Sequence, residues 1–374
     1  TPSDFGETGD YGEWKPIEYS GSYGTNGFYL PFKQDYTVEG FSTVLSTGNA
    51  TAKYVGGVGF QPDLVWNKTR SASQNHFLYD AIRGTGKELR SNQTTAEATN
   101  DGVTAFSSDG FSRGTSNDCN ENGITYVDWC WDMGGSNATN TNGSITSTVR
   151  ANAAYGQSIV SWTGNNAGNE TVGHGLSSTP EMIILKERGV NDNWYTYHSA
   201  IGNQTALNLA STAAQESNDL RFWHNTSPTA SVFTLGSFTN TNNATGIIAY
   251  CFHSVTGYSK FGSYTGNGST TGASVTTGFK PAFLMVKRTD GANSWVMYDS
   301  TRNPVNVVSK SLKANEADAE EDSSSNDVDF NATSFQIKSS NNDMNASGGT
   351  YIYMCFADTR EYAYWLDQSG NNND

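Results

Sequence analysis

The chain has 374 residues and a formal net charge of −15, with 35% apolar and only 16% charged residues. That length exceeds one ordinary domain, and so acidic a surface repels phosphate backbones, which excludes nucleic acid as an expected partner. No segment approaches the roughly 20 apolar residues of a membrane-spanning helix, and the many aromatic residues exclude disorder over most of the chain.

Residues 1–39 precede the first repeated unit and carry the stretch Tyr23-Gly24-Thr25-Asn26-Gly27-Phe28-Tyr29-Leu30-Pro31-Phe32. A first unit covers 40–135. Its expected strands are 41–48, the run Asp63-Leu64-Val65-Trp66-Asn67-Lys68 after Pro62, then His76-Phe77-Leu78-Tyr79-Asp80, Thr104-Ala105-Phe106, and Tyr126-Val127-Asp128-Trp129-Cys130-Trp131. Residues 136–155 read as a Gly/Ser/Asn/Thr linker with one short strand candidate at 144–149. A second unit, 156–257, repeats the order: 158–164, the run Met182-Ile183-Ile184-Leu185-Lys186 after Pro180, Trp194-Tyr195-Thr196-Tyr197-His198, 231–235, and Ile247-Ile248-Ala249-Tyr250-Cys251-Phe252. A third, 258–360, does so again: 261–266, Ala282-Phe283-Leu284-Met285-Val286-Lys287 after Pro281, 294–299, 334–337, and Tyr351-Ile352-Tyr353-Met354-Cys355-Phe356. Segments 205–217 and 309–322 are expected as short helices, and 316–327 as a solvated acidic loop. The polar string 368–374, with Thr1 at the other end, is taken to mark a portion of a longer polypeptide.

Strands of four to seven residues between Gly, Asn and Ser turns predict an all-β chain of three tandem antiparallel sandwich or jelly-roll units. The runs after the three prolines are continuously apolar, so those strands are expected to be central. Cys130, Cys251 and Cys355 share one position, in the last strand of each unit. Equivalent positions in successive domains are expected to lie too far apart for disulfides, so the three are expected reduced and buried. Cys119 is expected as a free or weakly exposed thiol.

Little in the sequence points to reactive chemistry. Gly110-Phe111-Ser112-Arg113-Gly114 matches a nucleophile elbow, but turn formers flank it where a strand and a helix are needed. His76, His174, His198, His224 and His253 lie in no metal or catalytic spacing and read as structural. No carboxylate pair is singled out for glycosidase chemistry. Asp118-Cys119-Asn120-Glu121-Asn122-Gly123 resembles the first half of a calcium loop without its closing Glu, and an Asx-rich turn is the preferred reading. No zinc spacing or cofactor motif occurs. Sequons such as those at Asn49, Asn137, Asn203, Asn243 and Asn345 follow from composition. Trp194, Tyr195, Trp295 and Tyr298 are candidates for a sugar-stacking platform, against the preferred reading that they alternate between core and sheet face.

Four stretches carry a resemblance: Phe60-Gln61-Pro62-Asp63-Leu64-Val65-Trp66, Val172-Gly173-His174-Gly175-Leu176, Ala249-Tyr250-Cys251-Phe252-His253-Ser254, and Phe261-Gly262-Ser263-Tyr264-Thr265-Gly266-Asn267-Gly268-Ser269. They resemble repeats in tail-fibre-like or other structural virion proteins of marine bacteriophages. The flanks, 23–32 and Trp365-Leu366-Asp367-Gln368-Ser369-Gly370-Asn371-Asn372-Asn373-Asp374, resemble two parts of one laminin-G-like (concanavalin-like) sandwich. That resemblance implies a carrier sandwich of which 1–39 and 361–374 are parts, with the repeats inserted in one of its loops and the remainder expected outside this sequence.

The resemblance implies a non-enzymatic virion appendage, a fibre or spike on the particle surface, touching host glycans by multivalent weak contact. A homotrimer with other virion proteins as partners is the expected assembly. A capsid-bound decoration protein, a secreted bacterial adhesin and a polysaccharide depolymerase are the alternatives.

Overall fold

Thr125–Trp131, Gly246–Phe252 and Thr350–Ala357 are the three closing strands, buried on both faces beyond their first residue. Alternation sends one set of side chains to each face. Cys130, Cys251 and Cys355 point into three separate cores, while Trp129 and Trp131, Tyr250 and Phe252, and Met354 and Phe356 point into one common core. Burial on both sides explains why these segments read as unbroken apolar runs.

A computed structural model describes residues 2–8, 14–17, 19–22, 24, 40–217, 220–236 and 239–357. The chain forms two compact units, 1–38 with 359–374, and 39–358. In the first, Gly6–Thr8 pairs antiparallel with Trp14–Pro16, and Phe5 stacks on Tyr19. The carrier-sandwich motifs, 23–32 and 365–374, lie outside the described residues apart from Gly24.

The second unit is all-β, with antiparallel pairing between its strands; one isolated bridge, Ile145 to Val172, is parallel. One strand order occurs three times: opening strand, closing strand, proline strand, aromatic strand. It runs Phe41–Thr47, Thr125–Trp131, Leu64–Thr69, Phe77–Asp80; then Gln157–Thr163, Gly246–Phe252, Met182–Glu187, Trp194–His198; then Ser259–Thr265, Thr350–Ala357, Pro281–Arg288, Val296–Asp299. A small second sheet covers the cysteine face of each, built on Gly110–Arg113, on Val232–Leu235 and on Ser334–Ile337. Each repeat is thus a sandwich whose large sheet has a second buried face.

That second face is shared. Trp66, Trp129 and Trp131 meet Ile184, Tyr250 and Phe252 and also Phe283, Met285 and Phe356 in one cluster. Phe356 packs against Phe41 at 5.2 Å and against Phe252 at 6.0 Å between ring centroids. Three equal backbone bonds close the ring: Glu97 N–H to Arg188 O, Gln215 N–H to Thr289 O, and Glu320 N–H to Arg70 O, each 2.8 Å. The repeats therefore form one closed body with three-fold pseudosymmetry around a common core, where the sequence led us to expect separate tandem bodies.

Other expectations change as well. Segment 205–217 holds the strands Thr205–Asn208 and Glu216–Ser217, and 309–322 holds Lys310–Lys313 and Glu321–Asp322. These short edge strands pair with each other, and tertiary pairing overrides a local helical pattern there. The linker 136–155 contains Ala138–Asn140 and Ser147–Asn152, which extend the second repeat's sheet beyond its opening strand. Among the described residues the α-helical turns are Asn117–Asn120, Thr239–Asn242 and Asn342–Asn345.

These turns occupy one position in each repeat, and each ends on a buried asparagine. The Asn120 carboxamide donates to Thr51 O and Gly114 O at 2.6 and 2.7 Å and accepts from Asn49 N–H. Asn345 donates to Ser269 O and Ser339 O and accepts from Asn267 N–H. Asn242 does the same with Ala167 O and Asn165 N–H. Each carboxamide stitches the hairpin after the opening strand to the turn before the closing strand.

Candidate functional site

The aromatic residues proposed to stack sugars are buried. Trp194, Tyr195, Trp295 and Tyr298 are at most 2% exposed, so none offers a ring face to solvent. Trp194 Nε1 donates to Arg90 O and Trp295 Nε1 to Asn208 O, each reaching into the preceding repeat. Ser112 lies within a sheet strand, paired with Tyr54, and not at an elbow. Asp118 sits in the capped turn after Ser116, and no group of three potential metal ligands occurs among the described residues. Cys119 is a free thiol, buried with its sulfur 3.3 Å from the Tyr79 hydroxyl, so the weakly exposed alternative falls away. The four cysteines are free. Asn345, one of the sequon residues, is fully buried. His174 is buried between Thr229 O and Leu176 N–H, and burial pulls its pKa down to about 4.

The informative chemistry lies at the three seams between repeats. Between the first and second, Asp80 accepts from the Tyr250 hydroxyl at 2.8 Å and from Arg83 Nε. Arg83 stands 3.6 Å from Glu97, which holds Arg188 in a two-pronged pair at 2.7 and 2.9 Å. Burial opposes the Arg83 charge, yet Asp80, Tyr250 and Glu97 outweigh it and raise its pKa. An Arg–Glu–Arg chain with a buried Asp thus locks this seam.

Between the third and first repeats the pattern returns. Asp299 accepts from Trp129 Nε1 at 3.0 Å and from Arg302 Nε at 2.5 Å. Arg302 lies 3.3 Å from Glu320, which holds Arg70 at 2.8 and 2.9 Å, and stacks over the Trp129 ring. Burial would raise the Glu320 pKa, but Arg70 and Arg302 reverse that and lower it. Glu320 falls in the segment expected to be a solvated loop; its side chain is only 11% exposed.

The seam between the second and third repeats lacks this chemistry. His198 stands where Asp80 and Asp299 do, Ile201 replaces Arg83 and Arg302, Gln215 replaces Glu97 and Glu320, Thr289 replaces Arg188 and Arg70, and Met354 replaces Tyr250 and Trp129. Only a long contact between His198 Nε2 and Tyr353 O, 3.4 Å, crosses at the aspartate position. Burial holds the His198 pKa near 4, so the ring is neutral. With no guanidinium to fill it, the seam opens into a cleft of about 410 Å³. Ala200, Ile201 and Gln215 form one wall; Ser263, Thr265 and Thr350 form much of the other. Tyr264 and Tyr351, stacked at 4.9 Å, also line it.

The basic residue ending each proline strand is also buried. Lys68 donates to Ala317 O at 3.1 Å and Lys287 to Thr212 O at 3.0 Å, both across seams, while Lys186 donates to Glu187 O and Val190 O. Burial lowers their pKa values to about 7, 8 and 8 for Lys68, Lys186 and Lys287. In the sequence these lysines end the run after each proline, with no sign that they are buried. The seam cleft was equally hidden, although aligning the repeats shows the charged residues dropping out at Ile201, Gln215 and Thr289.

A family model described as a domain of unknown function (DUF7483) matches residues 37–360. No curated protein and no solved structure matches the chain.

Proposed function

The chain belongs to the family described as a domain of unknown function (DUF7483), and we propose that it is a non-catalytic structural module of a virion surface appendage, of the fibre or spike kind, that contacts host glycans weakly. The observation that carries this reading is the construction of residues 39–358: three repeats closed around one core, with two seams locked by buried ion chains. Such a body resists deformation and proteolysis, as a part exposed outside a cell must. The resemblance of its repeats to structural proteins of marine phages supports the same reading. Its charge of −15 disfavours contact with nucleic acid and favours a soluble, self-repelling surface.

One feature favours a second reading, a capsid decoration protein. The three-fold arrangement is already present in one chain, so a single copy suits a local three-fold position without trimerising. Immunogold labelling of intact phage particles with an antibody against this chain separates the two. Label at the tail is expected; label distributed over the head favours decoration, and unlabelled particles refute both.

A further inference from the structure

We infer that the cleft between the second and third repeats binds an uncharged mono- or disaccharide, an inference that rests on the glycan contact proposed above. Pseudosymmetry is the first ground. At two seams the same space is occupied by arginine side chains paired to glutamate, whereas Thr289 and Gln215 leave about 410 Å³ open at the third. That volume lies within the roughly 300–1,000 Å³ of small-molecule sites.

The lining supplies the second ground. It contains no ionisable acid or base apart from tyrosine hydroxyls. The exposed Gln215 carboxamide has no hydrogen-bond partner among the described residues and can both donate and accept. Ser263 and Thr265 present exposed hydroxyls at the opposite wall, where the Thr350 hydroxyl is paired with that of Thr289 at 2.6 Å. The Tyr264 hydroxyl is already engaged with Met344 O, so its half-buried ring, stacked on the buried Tyr351, offers carbon surface, as does Ile201. Hydroxyl and amide groups around an aromatic and aliphatic floor match the alternating OH and CH faces of a sugar. A net charge of −15 works against acidic sugars.

The test is saturation-transfer NMR on the whole chain with glucose, galactose, mannose and N-acetylglucosamine, against glucuronic and sialic acids. The double substitution Gln215→Glu/Thr289→Arg copies the pair found at the other seams and fills the cleft. Ser263→Phe, at an exposed strand position, blocks it without altering the seam. Transfer from at least one neutral sugar is expected, with affinity falling about tenfold or more in both variants. No transfer from any neutral sugar, transfer from the acidic sugars alone, or unchanged binding in a folded variant overturns the inference. Particle labelling reads separately: labelled particles with no sugar binding remove only the cleft assignment, and sugar binding with unlabelled particles removes only the virion reading.

Discussion

Asp299→Asn tests whether the seam networks hold the body together. The substitution keeps the shape of the side chain but removes the charge that faces Arg302, and both groups are fully buried. Arg302 retains Glu320 at 3.3 Å and Met297 O at 3.2 Å, so its charge is weakened in pairing and not stranded. Breaking a buried ion pair costs about 3–5 kcal/mol, and the surviving contacts place this loss near the lower bound, about 3 kcal/mol. Asp80→Asn, at the matching seam, should lose a similar amount. His198→Gln exchanges one neutral group for another at the third seam and gives up the long contact to Tyr353 O and the bond from Ala200 N–H at 3.1 Å, each worth about 1 kcal/mol or less. Urea unfolding followed by tryptophan fluorescence measures all three. Asp299→Asn within about 1 kcal/mol of the parent, or His198→Gln as damaging as Asp299→Asn, would refute the reasoning.

Acid should loosen the fold through its buried histidines. His174 and His198 have pKa values lowered from 6.5 to about 4, so the folded chain binds fewer protons than the unfolded chain between those values. Their contribution is complete above pH 6.5 and is lost as pH falls through about 4, while Asp63, raised by burial from 3.8 to about 6, acts in the opposite sense over its own range. His174→Gln should flatten the acid limb of a stability-versus-pH curve, and an unchanged limb would contradict this. Burial raises the Cys119 pKa to about 12 and shifts Cys130, Cys251 and Cys355 upward as well. Iodoacetamide should therefore label no thiol in the native chain and all four in denaturant. Asn345→Ala strands several backbone groups and should cost about 2–3 kcal/mol in urea unfolding, with Asn120→Ala close to it; a loss below about 0.5 kcal/mol would show the stitch to be dispensable.

Much of the single-repeat architecture was legible. Proline, aromatic and closing strands announce themselves because their side chains are buried on both faces, and Cys130, Cys251 and Cys355 fix the alignment of the repeats. The way the repeats meet was not legible. Trp129 to Asp299 and Arg70 to Glu320 join residues far apart in sequence, and no periodicity marks them. The acidic segment around Glu320 looks solvated until Arg70 and Arg302 are seen beside it. Segments 205–217 and 309–322 misled because short edge strands carry little alternation. Trp194 and Trp295 suggested a surface platform, yet their indole N–H groups serve carbonyls of the neighbouring repeat.

Native-state hydrogen exchange compares the closing strands Thr125–Trp131, Gly246–Phe252 and Thr350–Ala357 directly. If one core binds three repeats into a single body, their slowest amides share one opening free energy and fall together in Asp299→Asn. Three distinct opening energies, with Asp299→Asn lowering only the strand of its own repeat, would contradict that claim.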